Sequence, residues 1–190
     1  FKNDFEKNLY KKIHDLRKYF TSLNKDENYE LSLINLAESK NTVVEFFDYR
    51  CGYCKRFSTS LNEVLKEDDN VRVVFKELPV LGANSDLAAR AAIAASRQNL
   101  YNDFHNKMME LKGSFDETQL FAIAKDVGLD VDRLKKDMEL RGVQGILDDT
   151  RELANRLSIT GTPAIIVGDE LIRGAIDTDR LKFLIAQARK

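Results

Sequence analysis

The two cysteines of this 190-residue chain lie three positions apart, in Cys51-Gly52-Tyr53-Cys54. Two thiols at that spacing support two kinds of chemistry, reversible closure of a disulfide and metal ligation. A zinc site takes about four ligands, and neither a second CxxC nor a paired histidine motif accompanies this one. The two histidines, His14 and His105, lack ligand spacing to the cysteines or to each other, and an iron–sulfur cluster meets the same shortage of ligands. A bridge across two residues closes too small a loop to constrain the unfolded chain much, so a purely structural role is the weaker reading. The pair reads as thiol–disulfide chemistry.

The flanking segments decide how such a pair is presented. Thr42-Val43-Val44-Glu45-Phe46-Phe47-Asp48 is short, β-branched and aromatic, the pattern of a buried strand. After the cysteines, Phe57, Leu61, Val64 and Leu65 share one face of a helix expected over Lys55–Lys66. Cys51 then falls at the N-cap, where unpaired backbone N–H groups and the helix dipole favour an anion and hence the attacking thiolate. Cys54, one turn on, faces the same side and can close the ring. Arg50 and Lys55 flank the pair, with solvated surface charge as the simpler reading of both.

The remaining elements form a frame around this unit. Residues 1 to about 25 carry Phe5, Leu9, Ile13, Leu16, Phe20 and Leu23 at helical steps, and Asn24-Lys25-Asp26-Glu27-Asn28 breaks the pattern as a linker. Leu31–Leu36 is apolar and reads equally as strand or helix. Val71–Phe75 is a second buried strand, giving a parallel βαβ unit. Helices are expected over Leu87–Ala95, Tyr101–Leu111, Thr118–Val127, Asp130–Met138 and Gly145–Leu157, with Gly113 and Gly128 as C-terminal stops. Gly161-Thr162-Pro163 precedes the strand Ala164–Val167, a turn at Gly168-Asp169, a hairpin strand Leu171–Arg173, and a last helix over Asp177–Ala188 capped by Asp177.

Composition excludes other classes. The chain is 43% hydrophobic and balances 30 basic against 31 acidic residues, for a net charge of −1, with no basic stripe for nucleic acid. No apolar run approaches the roughly 18–20 residues of a membrane span. The opening Phe1-Lys2-Asn3-Asp4-Phe5-Glu6 does not read as a secretory leader, so export implies a leader already removed.

Three segments together carry a family likeness: Phe46-Phe47-Asp48-Tyr49-Arg50-Cys51-Gly52-Tyr53-Cys54-Lys55, Lys76-Glu77-Leu78-Pro79-Val80-Leu81-Gly82 and Gly161-Thr162-Pro163-Ala164. From Thr42 onward the chain resembles the DsbA-type thiol–disulfide interchange proteins of the thioredoxin superfamily. The resemblance implies an α/β thioredoxin fold, βαβ then ββα, with an inserted helical domain and an N-terminal helical extension. The implied boundaries are 1–27 for the extension, 28–83 and 159–190 for the two parts of the thioredoxin domain, and 84–158 for the insertion. It also implies that Cys51 is the nucleophile and Cys54 the resolving thiol, and that Pro163 is a cis-proline exposing the Thr162 backbone to a substrate strand. A trans turn is the ordinary alternative.

Glu45 matches the family's buried acid and would exchange a proton with Cys54, its carboxyl buried among Val44, Phe46 and Phe47. A strand-edge carboxylate facing water is the alternative. Gly52, Tyr53, Gly161 and Thr162 are the implied substrate contacts. Thr162 and the Gly-Tyr dipeptide resemble the isomerase and reductase branches more than the strongly oxidising one, while Phe20, Tyr49 and Tyr53 read as packing aromatics. The expectation is a periplasmic disulfide isomerase without cofactor or metal. It would act on protein disulfides and thiols, be kept reduced by a membrane redox partner, and assemble as a homo-dimer or trimer through residues 1–27. A dithiol oxidase is the alternative. A zinc-binding module and a chaperone-like binder with an idle CxxC come behind.

Overall fold

The computed structural model describes residues 41–190. The expected N-terminal helix with its oligomerisation role, the break at Asn24–Asn28, the Leu31–Leu36 segment and His14 lie outside the described residues. The described chain runs β1 (Thr42–Phe47), α1 (Gly52–Glu67), β2 (Arg72–Glu77), then α2 (Ala83–Ala95), α3 (Tyr101–Glu110), α4 (Glu117–Asp126), α5 (Val131–Met138) and α6 (Arg141–Arg156). It closes with β3 (Ala164–Val167), β4 (Glu170–Arg173) and α7 (Thr178–Ala188). This is the expected thioredoxin-like α/β fold, with the helical run between β2 and β3.

The sheet order is β2-β1-β3-β4. β1 pairs parallel with β2, placing Glu45 opposite Phe75 and Phe47 opposite Glu77, and antiparallel with β3, placing Glu45 opposite Ile165. β1 is therefore an interior strand, and all six of its residues are buried. Alternation along the strand sends Val43, Glu45 and Phe47 to one face and Val44 and Phe46 to the other. Val43 and Ile165 pack with Phe57, Leu61 and Val64 of α1 and Leu181, Leu184 and Ile185 of α7. On the opposite face, Val44 and Phe46 pack on Leu153 and Ala154 of α6 and on Leu157, its C-cap. Phe47 joins a third cluster with Ala88, Ala91 and Ala92 of α2 and Phe104 and Met108 of α3, where alanines let the helices approach closely.

Several boundaries differ from the pattern-based ones. α1 starts at Gly52, not Lys55, because the CxxC itself winds the first turn with Cys51 as N-cap. β2 continues past Phe75 through Lys76 and Glu77, two buried charged side chains that a search for apolar residues skips. α2 starts at Ala83 and α6 at Arg141, and α6 tolerates Gly142 and Gly145 inside it. Gly128 follows Val127, the C-cap of α4, with φ +89°, a C-terminal stop as expected. Asp177 accepts a hydrogen bond from the Arg180 backbone N–H at 2.8 Å and caps α7.

Candidate functional site

The site is built where β1 ends and α1 begins. Cys51 stands at the N-cap in extended geometry (φ −78°, ψ 113°), its N–H donating to the Asp48 carbonyl at 3.0 Å. The first turn of α1 contains no acidic residue, so no carboxylate there opposes the positive end of the helix dipole. Cys51 is 7% exposed and Cys54 fully buried, and both thiols are free. Burial pushes the Cys54 thiol far up, against a lowering hydrogen bond from the Asp48 backbone. Two cysteines one turn apart thus differ: Cys51 keeps a small exposure, and Cys54 holds its proton inside.

The segment before β3 meets them from the far end of the sequence. The Thr162–Pro163 peptide bond is cis, and the Cys51 thiol donates to the Thr162 carbonyl at 3.3 Å. Pro163 is buried, Thr162 half-buried and Gly161 exposed. Gly52 and Tyr53 are exposed on the first turn of α1, with the Arg56 guanidinium 4.7 Å from the Tyr53 ring centre. The structure thereby gathers seven of the eight residues singled out from sequence in the CxxC turn and the segment before β3, Cys54 and Pro163 buried among them, and buries the eighth, Glu45, within β1.

Glu45 is fully buried on an interior strand, which rules out the water-facing alternative. Its surroundings differ from the expectation in one respect. Val44 and Phe46 point to the opposite face, and Glu45 shares its side with Val43 and Phe47, beneath α1. Burial, reinforced by Cys51, pushes its carboxyl up to about 8. Neither of its oxygens has a hydrogen-bond partner, the arrangement expected of an acid kept neutral by its surroundings. Arg50 and Lys55 are not simply solvated. Arg50 Nη1 donates to the Leu81 carbonyl at 2.5 Å, and Lys55 Nζ donates to the Leu111 carbonyl.

A second buried polar cluster adjoins the first and carries no sequence signal of its own. Glu77, opposite Phe47 on β2, accepts at Oε1 from the Tyr49 hydroxyl at 3.1 Å and the Tyr101 hydroxyl at 2.9 Å. Tyr49 Oη also lies 3.1 Å from His105 Nδ1. Burial drives the Glu77 carboxyl well up despite those two donors, and pushes His105 down to about 3. The imidazole is therefore neutral, stacked on the Tyr101 ring at 5.7 Å. Tyr49, read from sequence as packing, packs edge-on against Phe47 and also bonds. Only a fold that places α3 over the end of the sheet brings residues 49, 77, 101 and 105 together.

The comparisons agree with this geometry. The DSBA-like thioredoxin domain family matches residues 42–186. The chain belongs to that family. Disulfide bond formation protein D of Bacillus subtilis is 27% identical over 161 residues, 78% of this chain and 72% of that protein. Na(+)/H(+) antiporter NhaA 1 of Salinispora arenicola is 29% identical over 154 residues, 80% of this chain but 24% of that protein, so the chain spans about a quarter of that relative's length. Among solved structures, a thioredoxin-like oxidoreductase from Silicibacter pomeroyi superposes with TM-score 0.76 at 42% identity, over 78% of this chain and 86% of that one. The thiol-disulfide exchange protein alpha-DsbA2 from Wolbachia pipientis reaches 0.82 at 25% identity, over 98% and 99%. Among the described residues, no helix is long and apolar enough to cross a membrane.

Proposed function

We propose that this chain is a thiol–disulfide oxidoreductase working in the periplasm, and that it chiefly isomerises or reduces wrongly paired protein disulfides. The observation that carries the exchange chemistry is the pairing of Cys51, 7% exposed at a helix N-terminus and 3.3 Å from the Thr162 carbonyl, with a fully buried Cys54 one turn on. The Cys51 thiolate attacks one sulfur of a substrate disulfide. The old S–S bond breaks, a substrate thiolate leaves, and a mixed disulfide forms. Thr162, Gly161, Gly52 and Tyr53 border that linkage and hold the substrate backbone, with Pro163 fixing the Thr162 segment. If a different substrate thiolate then attacks the substrate sulfur of that linkage, a new substrate disulfide forms, Cys51 leaves as the thiolate, and the substrate has been rearranged with no net redox change.

If instead Cys54 attacks the Cys51 sulfur, its proton passes to ionised Glu45, the Cys51–Cys54 disulfide closes, and the substrate leaves reduced by two electrons. The enzyme must then be returned to the dithiol by a reductant, for which we assign a membrane redox partner. The burial that raises both Cys54 and Glu45 favours isomerisation. Near neutral pH most Glu45 already carries its proton, so the mixed disulfide persists long enough for another substrate thiol to attack it. The Gly-Tyr dipeptide and Thr162 point the same way. The dithiol oxidase reading has its own support in the name of the B. subtilis relative. Residues 1–27 are assigned the joining of chains into a dimer or trimer, which presents several CxxC sites to one substrate.

Scrambled ribonuclease and reduced ribonuclease, incubated in parallel with the full chain and with a chain starting near Asn28, test this reading. Reactivation of the scrambled form, weakened by the truncation, is expected. Rapid oxidation of the reduced form without unscrambling would make the protein an oxidase.

A further inference from the structure

To resolve a mixed disulfide, Cys54 must attack as a thiolate, and it must form that thiolate while fully buried. Burial, and after it Cys51 and Glu45, hold its thiol up; a hydrogen bond from the Asp48 backbone works the other way. A donor aimed at the atom where charge develops, in a site closed to water, is most effective when it cannot swing away. Asp48 has no strand to hold it. The Leu78 N–H donates to the Phe47 carbonyl at 2.9 Å where β1 ends, and strand pairing does not reach the next residue. Its own side chain supplies the restraint.

Asp48 is 1% exposed and uses both carboxylate oxygens. Oδ2 accepts from the backbone N–H groups of Val80 at 2.8 Å and Leu81 at 3.0 Å, in the turn between β2 and α2 that Gly82, at φ +101°, completes. Oδ1 accepts from the Ser85 hydroxyl of α2 at 2.8 Å and from the Arg50 N–H at 2.7 Å. The Asp48 carbonyl accepts from the Cys51 N–H at 3.0 Å. Four donors satisfy a buried charge that would otherwise be costly, and an amide of the same size could not accept at both atoms. We infer that the Asp48 N–H stabilises the charge forming on the Cys54 sulfur as it attacks Cys51, and that the Asp48 carboxylate is the positioning group that holds this N–H on the sulfur. The inference rests on the proposed exchange activity and adds a residue to its second half. In that half the Cys54 sulfur bonds to the Cys51 sulfur, the bond from Cys51 to the substrate breaks, the substrate sulfur leaves with the electron pair, and the Cys54 proton goes to Glu45. The first attack uses Cys51 alone, so the second step is the one that depends on the clamp.

Reduced full chain mixed with oxidised glutathione, quenched in acid at intervals and weighed by mass spectrometry, separates the two steps. Appearance of the glutathione adduct reports attack by Cys51, which releases one glutathione thiolate; its disappearance reports attack by Cys54, which releases the second. Asp48→Asn should leave appearance within about two-fold and slow disappearance about ten-fold, the scale of one hydrogen bond to a charged group. The rise of the disappearance rate with pH should also move to higher pH. The groups that face Cys54, Cys51 from α1 and Glu45 from β1, are the same in both proteins. Glu77, which feels the Asp48 charge from β2, is held up chiefly by its own burial. Removing a negative charge would by itself ease ionisation of a nearby thiol, so the sign of the change separates positioning from a charge effect. Ser85→Ala, which withdraws one donor and keeps the charge, should slow disappearance about three-fold, and it carries the test if Asp48→Asn does not fold. Disappearance at the wild-type rate or faster, or slower with no displacement along pH, would overturn the clamp while leaving exchange standing. Oxidised glutathione left unchanged by the wild type would overturn the exchange reading itself.

Discussion

Replacing Glu45 with glutamine keeps the shape of the side chain and removes its charge, so it isolates what burying this acid costs. The carboxyl is raised from 4.5 to about 8, burial being the larger cause and Cys51 the smaller. Between those two values the unfolded chain has released a proton that the folded chain still binds. Stability therefore falls as pH rises through that window and is level outside it. The slope is about 1.4 kcal/mol per pH unit, so wild type loses about 4 kcal/mol between pH 5 and pH 9 through this residue, a loss Glu45→Gln does not share. Glu77, raised in the same direction chiefly by its own burial and least by Glu45, contributes to both proteins and largely cancels in the difference. Urea unfolding of the two reduced proteins across pH 5–9 measures it, and the stability gap should widen in favour of glutamine as pH rises. The same variant should slow the resolution of a Cys51 mixed disulfide by Cys54 at pH 8–9, by about 10²-fold or more if Glu45 is the proton acceptor. A stability gap that stays level from pH 5 to 9 would show that Glu45 is not buried as an acid, and the argument for a long-lived mixed disulfide would fall with it.

Cys54→Ser should accumulate substrate-linked Cys51 that wild type clears, seen as a mass adduct lost on reduction; equal clearance by both would remove Cys54 from the resolving role. Tyr49→Phe keeps the ring against Phe47 but strips a donor from buried Glu77 and a partner from His105, for an expected loss of about 1–3 kcal/mol, and a change under about 0.5 kcal/mol on urea unfolding would count against the cluster as drawn. Gly82→Ala should lose about 1–3 kcal/mol because φ +101° suits only glycine, the nearest atom at 3.6 Å being no clash; wild-type stability in that variant would mean that the turn relaxes.

The chemistry was legible in the sequence because it is local. A CxxC between an apolar β-branched run and an amphipathic helix needs no distant residue to place its nucleophile at a helix N-terminus, and Cys51 is the N-cap of α1. The element order was legible for the same reason, since apolar repeats of two and of three or four residues report on burial one element at a time. Exact bounds were less so: α1 begins at Gly52 and β2 runs on through Lys76-Glu77, where the residue types conceal the element. Tertiary structure decided everything that depends on two distant segments sharing one volume. Thr162 reaches Cys51 across 111 positions, Asp48 binds a turn 32 and 33 positions away, and Glu77 gathers Tyr49 and Tyr101 from opposite directions. Periodicity marks which side of an element is buried, and it is silent on what lies opposite. For Glu45 that silence covered the face it occupies, where burial, with Cys51 as the smaller cause, holds its proton.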